Sequence, residues 1–223
     1  MIKINIPNAD PTHHNLSHFD KPELTPELTN NNPFDLFSLW YHDATLGEPS
    51  DANAMSLATI DNMGMPNVRI VLLKGFSELG FTFFTNYTSQ KAQELVSNPK
   101  AGLCFHWKSL LRQIRIKGVV AKISEAESDA YFATRDINSQ IGAYVSRQSH
   151  IVSGREKLLS DLQNYQQKFS AETHIKRPDY WGGYCLTPFE IEFWQNGAFR
   201  LHDRLVFFRD SHDAPWQTKK LYP

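Results

Sequence analysis

Three short segments of this chain gather cations and hydroxyls where ordinary packing has little use for them. Thr85-Asn86-Tyr87-Thr88-Ser89-Gln90-Lys91 reads as a strand end, a hydroxyl-rich turn and a helix start with a lysine in its first turn. Helix-start N–H groups, hydroxyls and an ammonium together suit a phosphate group, although a plain Ser/Thr cap beside a surface lysine has the same spelling. In Arg69-Ile70-Val71-Leu72-Leu73-Lys74 two cations bracket an apolar strand. Their heads must either snorkel to water or meet an anion, because a buried unpaired charge is costly. Arg200-Leu201-His202-Asp203-Arg204 follows Trp194-Gln195. Strand alternation would put Arg200, His202 and Arg204 on one face, which repels itself unless an anion sits there or the face is open to solvent. Tyr131, Arg135, Ser139 and Gln140 add another cation and hydroxyl, in a stretch that a helix–helix junction also explains.

The elements that must position these groups are legible from periodicity. Asn32-Pro33 is an N-cap with proline at the first helical position, and Phe34, Phe37, Trp40 and Tyr41 follow at helical spacing. From Ala54 the period becomes two: strands 54–60 and 67–74 flank a turn-rich Asp61–Pro66, and 81–86, 102–107 and 112–123 continue the pattern. Ser124–Glu127 and Ser153–Glu156 both match a capping box. Behind the second, Leu158, Leu159, Leu162, Tyr165 and Phe169 share a helical face. Strands are expected again at 183–186, 190–195 and 199–208. The fold class is therefore mainly β, an antiparallel closed or nearly closed barrel with flanking helices. Residues 1–32, rich in Asn, Pro, Thr and His, read as an extended or disordered arm, and 33–223 as one domain.

Composition removes several classes. The 223 residues carry 23 Lys+Arg against 24 Asp+Glu, a net charge of −1, which disfavours a coat for nucleic acid or an anionic membrane. Cys104 and Cys185 stand alone, without metal or disulfide spacing, and His13, His14 and His18 lack a ligand partner, so no metal is expected. No apolar run approaches a membrane span and no signal-peptide pattern opens the chain, so a cytoplasmic location is expected. Rossmann, P-loop and nucleophile-elbow motifs are missing.

In order along the chain, Arg69–Lys74, Phe84-Thr85-Asn86 with Ser89 and Lys91, Ser139–Ala143, Val145–Ser149, Trp181–Tyr184, Ile191–Gln195, Arg200–Arg204 and Leu221-Tyr222-Pro223 resemble the pyridoxine/pyridoxamine 5′-phosphate oxidase family. The resemblance runs from about Pro33 to Pro223. It implies an FMN-binding split β-barrel, a homodimer with FMN at the interface, oxidising pyridoxamine or pyridoxine 5′-phosphate with O2 to pyridoxal 5′-phosphate. By position, Arg69 and Lys91 would hold the FMN phosphate, helped by Thr85 and the backbone of Ile70, Val71, Leu72 and Leu73, with Lys74 and Phe84 also among the cofactor-binding residues. Gln113, Gln148, Ser149, Trp194 and Arg204 would contact the same flavin, largely from the partner subunit. Lys74, Tyr131, Arg135 and Ser139 would grip the vitamin phosphate, while Arg200, Leu201 and His202 would lie against its ring. Arg200, His202 and Asp51 are the catalytic candidates by the same resemblance.

Two departures stand out. Gln90 occupies a position where the family usually carries Arg, which implies a looser grip on FMN, and residues 1–32 match neither the family's lid segment nor its basic run. A split-barrel protein that binds FMN or pyridoxal phosphate without turnover is the alternative, but it would need neither the Arg200/His202 pair nor the second cation set. A barrel for single-stranded nucleic acid would need a basic groove lined with aromatics.

Overall fold

A computed structural model describes residues 23–172 and 174–223. Part of the expected arm, residues 1–22, lies outside that range. Over residues 23–32 the chain is not an extended arm: Pro26–Thr29 form a 3-10 turn, Leu24 is buried, and its N–H donates to Asp203 Oδ2.

Five helices, α1 (Pro33–Gly47), α2 (Gln90–Ser97), α3 (Glu125–Ala133), α4 (Ile137–Val145) and α5 (Arg155–Lys168), accompany nine strands among the described residues. The strands are β1 (Ala54–Ile60), β2 (Pro66–Leu72), β3 (Gly75–Ser77), β4 (Gly80–Asn86), β5 (Lys100–Trp107), β6 (Arg112–Lys122), β7 (Trp181–Gln195), β8 (Asp203–Phe208) and β9 (Gln217–Lys220). They form one antiparallel sheet ordered β2-β1-β5-β6-β7-β4-β3, with β8 on β7 and β9 on β8. The described chain divides into two compact units. One comprises residues up to Ala52, Cys104–Ile116 and Phe189–Pro223; the other comprises Asn53–Leu103 and Lys117–Pro188.

In the first unit the aromatic stripe of α1 makes the core. Phe37 meets Phe105 edge-on at 5.4 Å and Trp40 meets Phe193 at 5.3 Å, all four rings fully or nearly fully buried. Edge-to-face pairs of this kind add stabilisation beyond the apolar area they bury. The predicted cap is present: Asn32 Oδ1 accepts from the Phe34 N–H, with Pro33 at the first helical position.

In the second unit β1 and β2 form the expected hairpin, in register from Ala54↔Leu72 to Ile60↔Pro66. Asp61 Oδ1 closes the turn by accepting from the N–H groups of Met63 and Met65, and Gly64 supplies the positive φ of 81°. The Ser124–Glu127 capping box forms at α3. The second predicted box does not, since Gly154 caps α5 at φ 154° with no side-chain bond. Leu158 and Leu159 are exposed on α5, and only Leu162, Tyr165 and Phe169 pack onto the core of Phe132, Ile141, Ala143, Ile175 and Trp181.

Most strand boundaries shift by a residue or two, and the larger differences from expectation are in β7 and β8. The separate strands predicted at 183–186 and 190–195 are one strand, β7. Pro188 falls between the stretch paired with β4 (Trp181–Leu186) and the stretch paired with β8 (Glu190–Gln195), so its missing N–H breaks neither ladder. The strand predicted from Phe199 begins only at Asp203, because Phe199 and Arg200 turn left-handed at φ 54° and 63°.

Candidate active site

The second unit encloses a cavity of about 930 Å3, lined by β2, the end of β4, the start of α2, the α3–α4 junction, residues 146–149 and Trp181. Where β4 ends, Asn86 Oδ1 accepts from the Thr88 N–H and hydroxyl, and the Ser89 hydroxyl donates to the Asn86 carbonyl. That turn launches α2 with Lys91 pointing inward and almost wholly buried. Its Nζ donates to Thr85 Oγ1 (3.2 Å), Ser89 Oγ (3.3 Å) and Gln148 Oε1 (3.0 Å), all neutral. Burial, and then the neighbouring Arg69 charge, push the Lys91 ammonium down to about 8 against a smaller opposing pull from Glu94. A buried ammonium with no carboxylate in contact is costly by itself, and it is what an anion site requires.

Arg69 is treated differently. It pairs with Glu94 at 3.1 Å and also donates to the Leu57 and Asn67 carbonyls and the Thr59 hydroxyl. Burial pushes the Glu94 carboxyl up, but hydrogen bonds from Thr59 and Asn67 and the Arg69 charge outweigh it and leave it below its usual range. Arg69 still lines the cavity, held in one orientation by this cluster.

A second cationic group occupies the same cavity. Lys74 is exposed just past the end of β2, and Tyr131, Arg135 and Ser139 come from the α3–α4 junction. The segment is thus a helix–helix junction whose side chains also line the cavity. Gln140 Nε2 donates to the Phe132 and Arg135 carbonyls, satisfying the end of α3 and fixing the Arg135 backbone. The Arg135 guanidinium lies 4.6 Å from the Trp181 ring and 5.5 Å from Phe132, burial lowers its pKa, and its Nη1 is shut from water without a hydrogen-bond partner.

The first unit holds the other candidates, none of which lines this cavity. Asn196 N–H donates to the Leu111 carbonyl, Leu201 N–H donates to Ala198, and Gly197 sits so close to Leu201 that a Cβ there would lie 2.0 Å from its carbonyl oxygen. This tight turn forces Phe199 and Arg200 into the left-handed region, and each non-glycine residue held there costs roughly 1–3 kcal/mol. Such strain collects at functional sites, and it leaves Arg200 and Leu201 exposed. His202 accepts from the Gly197 N–H through Nδ1, which places its proton on Nε2, and its ring lies 4.5 Å from Trp194.

The chain matches the family model described as "Pyridoxamine 5'-phosphate oxidase" over residues 42–168, and the "Pyridoxine 5'-phosphate oxidase C-terminal dimerisation region" over 181–223. Curated pyridoxine/pyridoxamine 5′-phosphate oxidases of Brucella canis and Brucella abortus are 50% identical over 191 residues, covering 86% of this chain and 94% and 91% of theirs. The chain belongs to the pyridoxine/pyridoxamine 5′-phosphate oxidase family. Among solved structures, PhzG of Burkholderia lata, in complex with tetrahydrophenazine-1-carboxylic acid, superposes with a TM-score of 0.80 at 28% identity, over 93% of this chain and 96% of that one. An FMN-binding protein of Nostoc punctiforme related to pyridoxamine 5′-phosphate oxidase shares the fold, with a TM-score of 0.67 at 16% identity, over 84% and 95%. The antiparallel split barrel with flanking helices is thus the fold of this family member.

Of the residues carried over from the family, the cavity gathers Arg69, Ile70, Val71, Leu72, Lys74, Phe84, Thr85, Lys91, Tyr131, Arg135, Ser139, Gln148 and Ser149. Leu73 is excluded: it is buried and its N–H is taken by the Asn53 carbonyl. Gln113, Trp194, Arg200, Leu201, His202, Arg204 and Asp51 lie in the other unit or in the loop that precedes β1. The expected Arg200/His202/Arg204 strand face is not formed, since only Arg204 lies in β8. Nor does Arg204 await a ligand to relieve repulsion. Its Nε and Nη2 reach Glu192 Oε1 at 2.8 and 2.7 Å and its Nη1 donates to the Tyr222 carbonyl. The anion inferred from charge repulsion is this chain's own Glu192, brought opposite β8 by the β7–β8 register. Sequence reasoning passed over Glu94 and Trp181. An acid three residues after Lys91, on the buried face of α2, was the available signal for Glu94.

Proposed function

We propose that this chain is an FMN-dependent oxidase that converts pyridoxamine or pyridoxine 5′-phosphate to pyridoxal 5′-phosphate. The observation that carries the reading is one cavity with two cationic groups, Arg69/Lys91 and Lys74/Arg135, of which, among the described residues, only Arg69 contacts a carboxylate. Two phosphate esters, one on the flavin and one on the vitamin, match two such groups. A charge-assisted contact contributes about 1.5–3 kcal/mol, so a few per group suffice for tight binding.

The donor set fits FMN. Lys91, Thr85 and Gln148 form a preassembled hydrogen-bonding cluster beside the N-terminus of α2, with Arg69 fixed nearby. When bound, FMN supplies the two-electron acceptor that takes hydride from the vitamin's 4′ carbon and passes the electrons to O2. With O2 and water the amine yields pyridoxal 5′-phosphate, ammonia and H2O2; the alcohol needs only O2 and yields the aldehyde and H2O2.

The protein's part is positional and electrostatic. Lys74, Tyr131, Arg135 and Ser139 hold the vitamin phosphate, leaving its ring free to be oriented. Arg200, presented by its strained turn, lies against that ring and stabilises charge developing there. His202, with its proton on Nε2, can donate a hydrogen bond or shuttle a proton; Asp51, exposed on the loop before β1 at φ 46°, assists in the same step. The chain acts as a homodimer. The match to a dimerisation region supports this, as do the exposed Val68, Ile70 and Leu72, which rim the cavity on β2 and need a cover. In that dimer Gln113, Trp194 and Arg204 reach the flavin, and Arg200 and His202 the vitamin, largely from the partner subunit.

The test is turnover. FMN-loaded protein given pyridoxamine 5′-phosphate should form pyridoxal 5′-phosphate and H2O2 in equal amounts. Flavin retention with no product from either vitamer would overturn the oxidase reading and leave a non-catalytic flavin carrier.

A further inference from the structure

Arg135 is a planar cation whose orientation decides whether its N–H groups can meet a phosphate. No ion pair among the described residues fixes that plane, and its Nη1 has no partner there. Of the two rings beside the guanidinium, Phe132 at 5.5 Å and Trp181, the nearer is Trp181. The indole lies 4.6 Å from the guanidinium carbon.

The indole is itself locked. Phe84 stacks on it at 5.4 Å with planes 14° apart, and Phe132 meets it edge-on at 5.2 Å. The backbone beneath is tied to α3, the helix that ends just before Arg135: the buried Arg177 donates through Nη1 to the Trp181 carbonyl and through Nε to Asp129 of α3 at 2.6 Å. Platform and guanidinium are therefore pinned to one another through β7 and α3.

We propose that Trp181 is a positioning residue for the substrate, acting through Arg135: its indole holds the guanidinium flat and partly desolvated so that the remaining N–H edge is ready for the vitamin phosphate. This rests on the assignment of Arg135 to that phosphate. Trp is the aromatic ring with the strongest attraction for a cation, so trimming it weakens the hold even where packing survives.

The experiment is a double-mutant cycle on the FMN-loaded enzyme, using Trp181→Phe and Arg135→Lys, with pyridoxamine 5′-phosphate as substrate. Trp181→Phe should raise KM about fivefold, with the loss falling on KM rather than kcat, and Arg135→Lys should raise it about tenfold or more. In the Arg135→Lys background, Trp181→Phe should add less than twofold, because a lysine offers no plane to hold. Equal fivefold effects in both backgrounds would overturn the proposal while leaving Arg135 a phosphate ligand. An unchanged KM in Arg135→Lys alone would overturn the underlying assignment as well. If Trp181→Phe fails to fold, Trp181→Tyr replaces it in the same cycle, with thermal unfolding and FMN affinity measured beside KM; a KM that follows the melting temperature alone would mark Trp181 as core only.

Discussion

Lys91 and Arg204 are both cations withdrawn from water, one in each unit, and their surroundings are opposite. Arg204 makes two contacts with the buried Glu192, which also receives Arg115 at 3.2 Å. Among the described residues, the hydrogen bonds of Lys91 go to hydroxyls and an amide oxygen. A cation matched by a carboxylate of its own chain supports the scaffold whatever else it touches, and removing the match strands a charge. A buried cation left with neutral partners is held at a cost to the folded state, and binding an anion recovers that cost. The contrast separates a charge already answered within the fold from one left without a counter-charge, a difference that motif position does not reveal because both residues stand in family motifs.

Breaking the site half of the contrast should have the largest effect. Lys91→Met should weaken FMN binding by about 100-fold or more, read by quenching of flavin fluorescence. The same change should stabilise the flavin-free protein, by on the order of 1–3 kcal/mol in chemical unfolding, because it removes an unmatched buried charge. A parallel loss of both properties would contradict the assignment.

Breaking the scaffold half should do the reverse. Glu192→Gln leaves Arg204 without its counter-charge and should cost about 2–3 kcal/mol of stability. The loss should appear in urea unfolding with or without FMN.

The contrast also predicts pH behaviour. With Lys91 titrating at about 8 in the flavin-free protein, its protonated fraction falls above that pH, so FMN affinity should drop by up to about tenfold per pH unit between 8 and 10. The stability term has the opposite slope. The folded-state pKa lies below the unfolded value of 10.5, so the unfolded chain binds more protons between the two. The penalty from the buried charge is full below pH 8 and fades as pH rises towards 10.5. Isothermal titrations with FMN at several pH values check the first slope, and urea midpoints of flavin-free protein the second.

The smallest effect sharpens the comparison by adding a cation. Gln90 is exposed at the cavity's edge, and Gln90→Arg should tighten FMN binding about fivefold, measured by equilibrium dialysis.

Much of this was legible in the sequence, and the reasons are local. Period-two alternation and the Asp61–Pro66 turn gave the β1–β2 hairpin because one short hydrogen-bonded turn fixes its register. The start of α1 could be read because a cap is a matter of adjacent residues. The misreadings arose where distant parts of the chain decide. Phe199 and Arg200 have side chains suited to a strand, yet contacts of 196–201 with Leu111 and within the turn drive them left-handed. The repulsion argument for Arg200, His202 and Arg204 assumed a strand face that does not form, and Arg204, the one of the three in β8, meets Glu192 on the neighbouring strand. Trp181 stands in the Trp181–Tyr184 motif, but its contact with Arg135 joins residues 46 positions apart and leaves no local signal.

The central claim is that the second cationic group is a socket for the phosphate of the vitamin. It is tested most directly by comparing pyridoxamine 5′-phosphate with unphosphorylated pyridoxamine as substrates of the FMN-loaded enzyme. The account predicts kcat/KM at least 100-fold higher for the ester, with that preference largely lost in Arg135→Ala. Comparable turnover of the two compounds by the unaltered protein would contradict it.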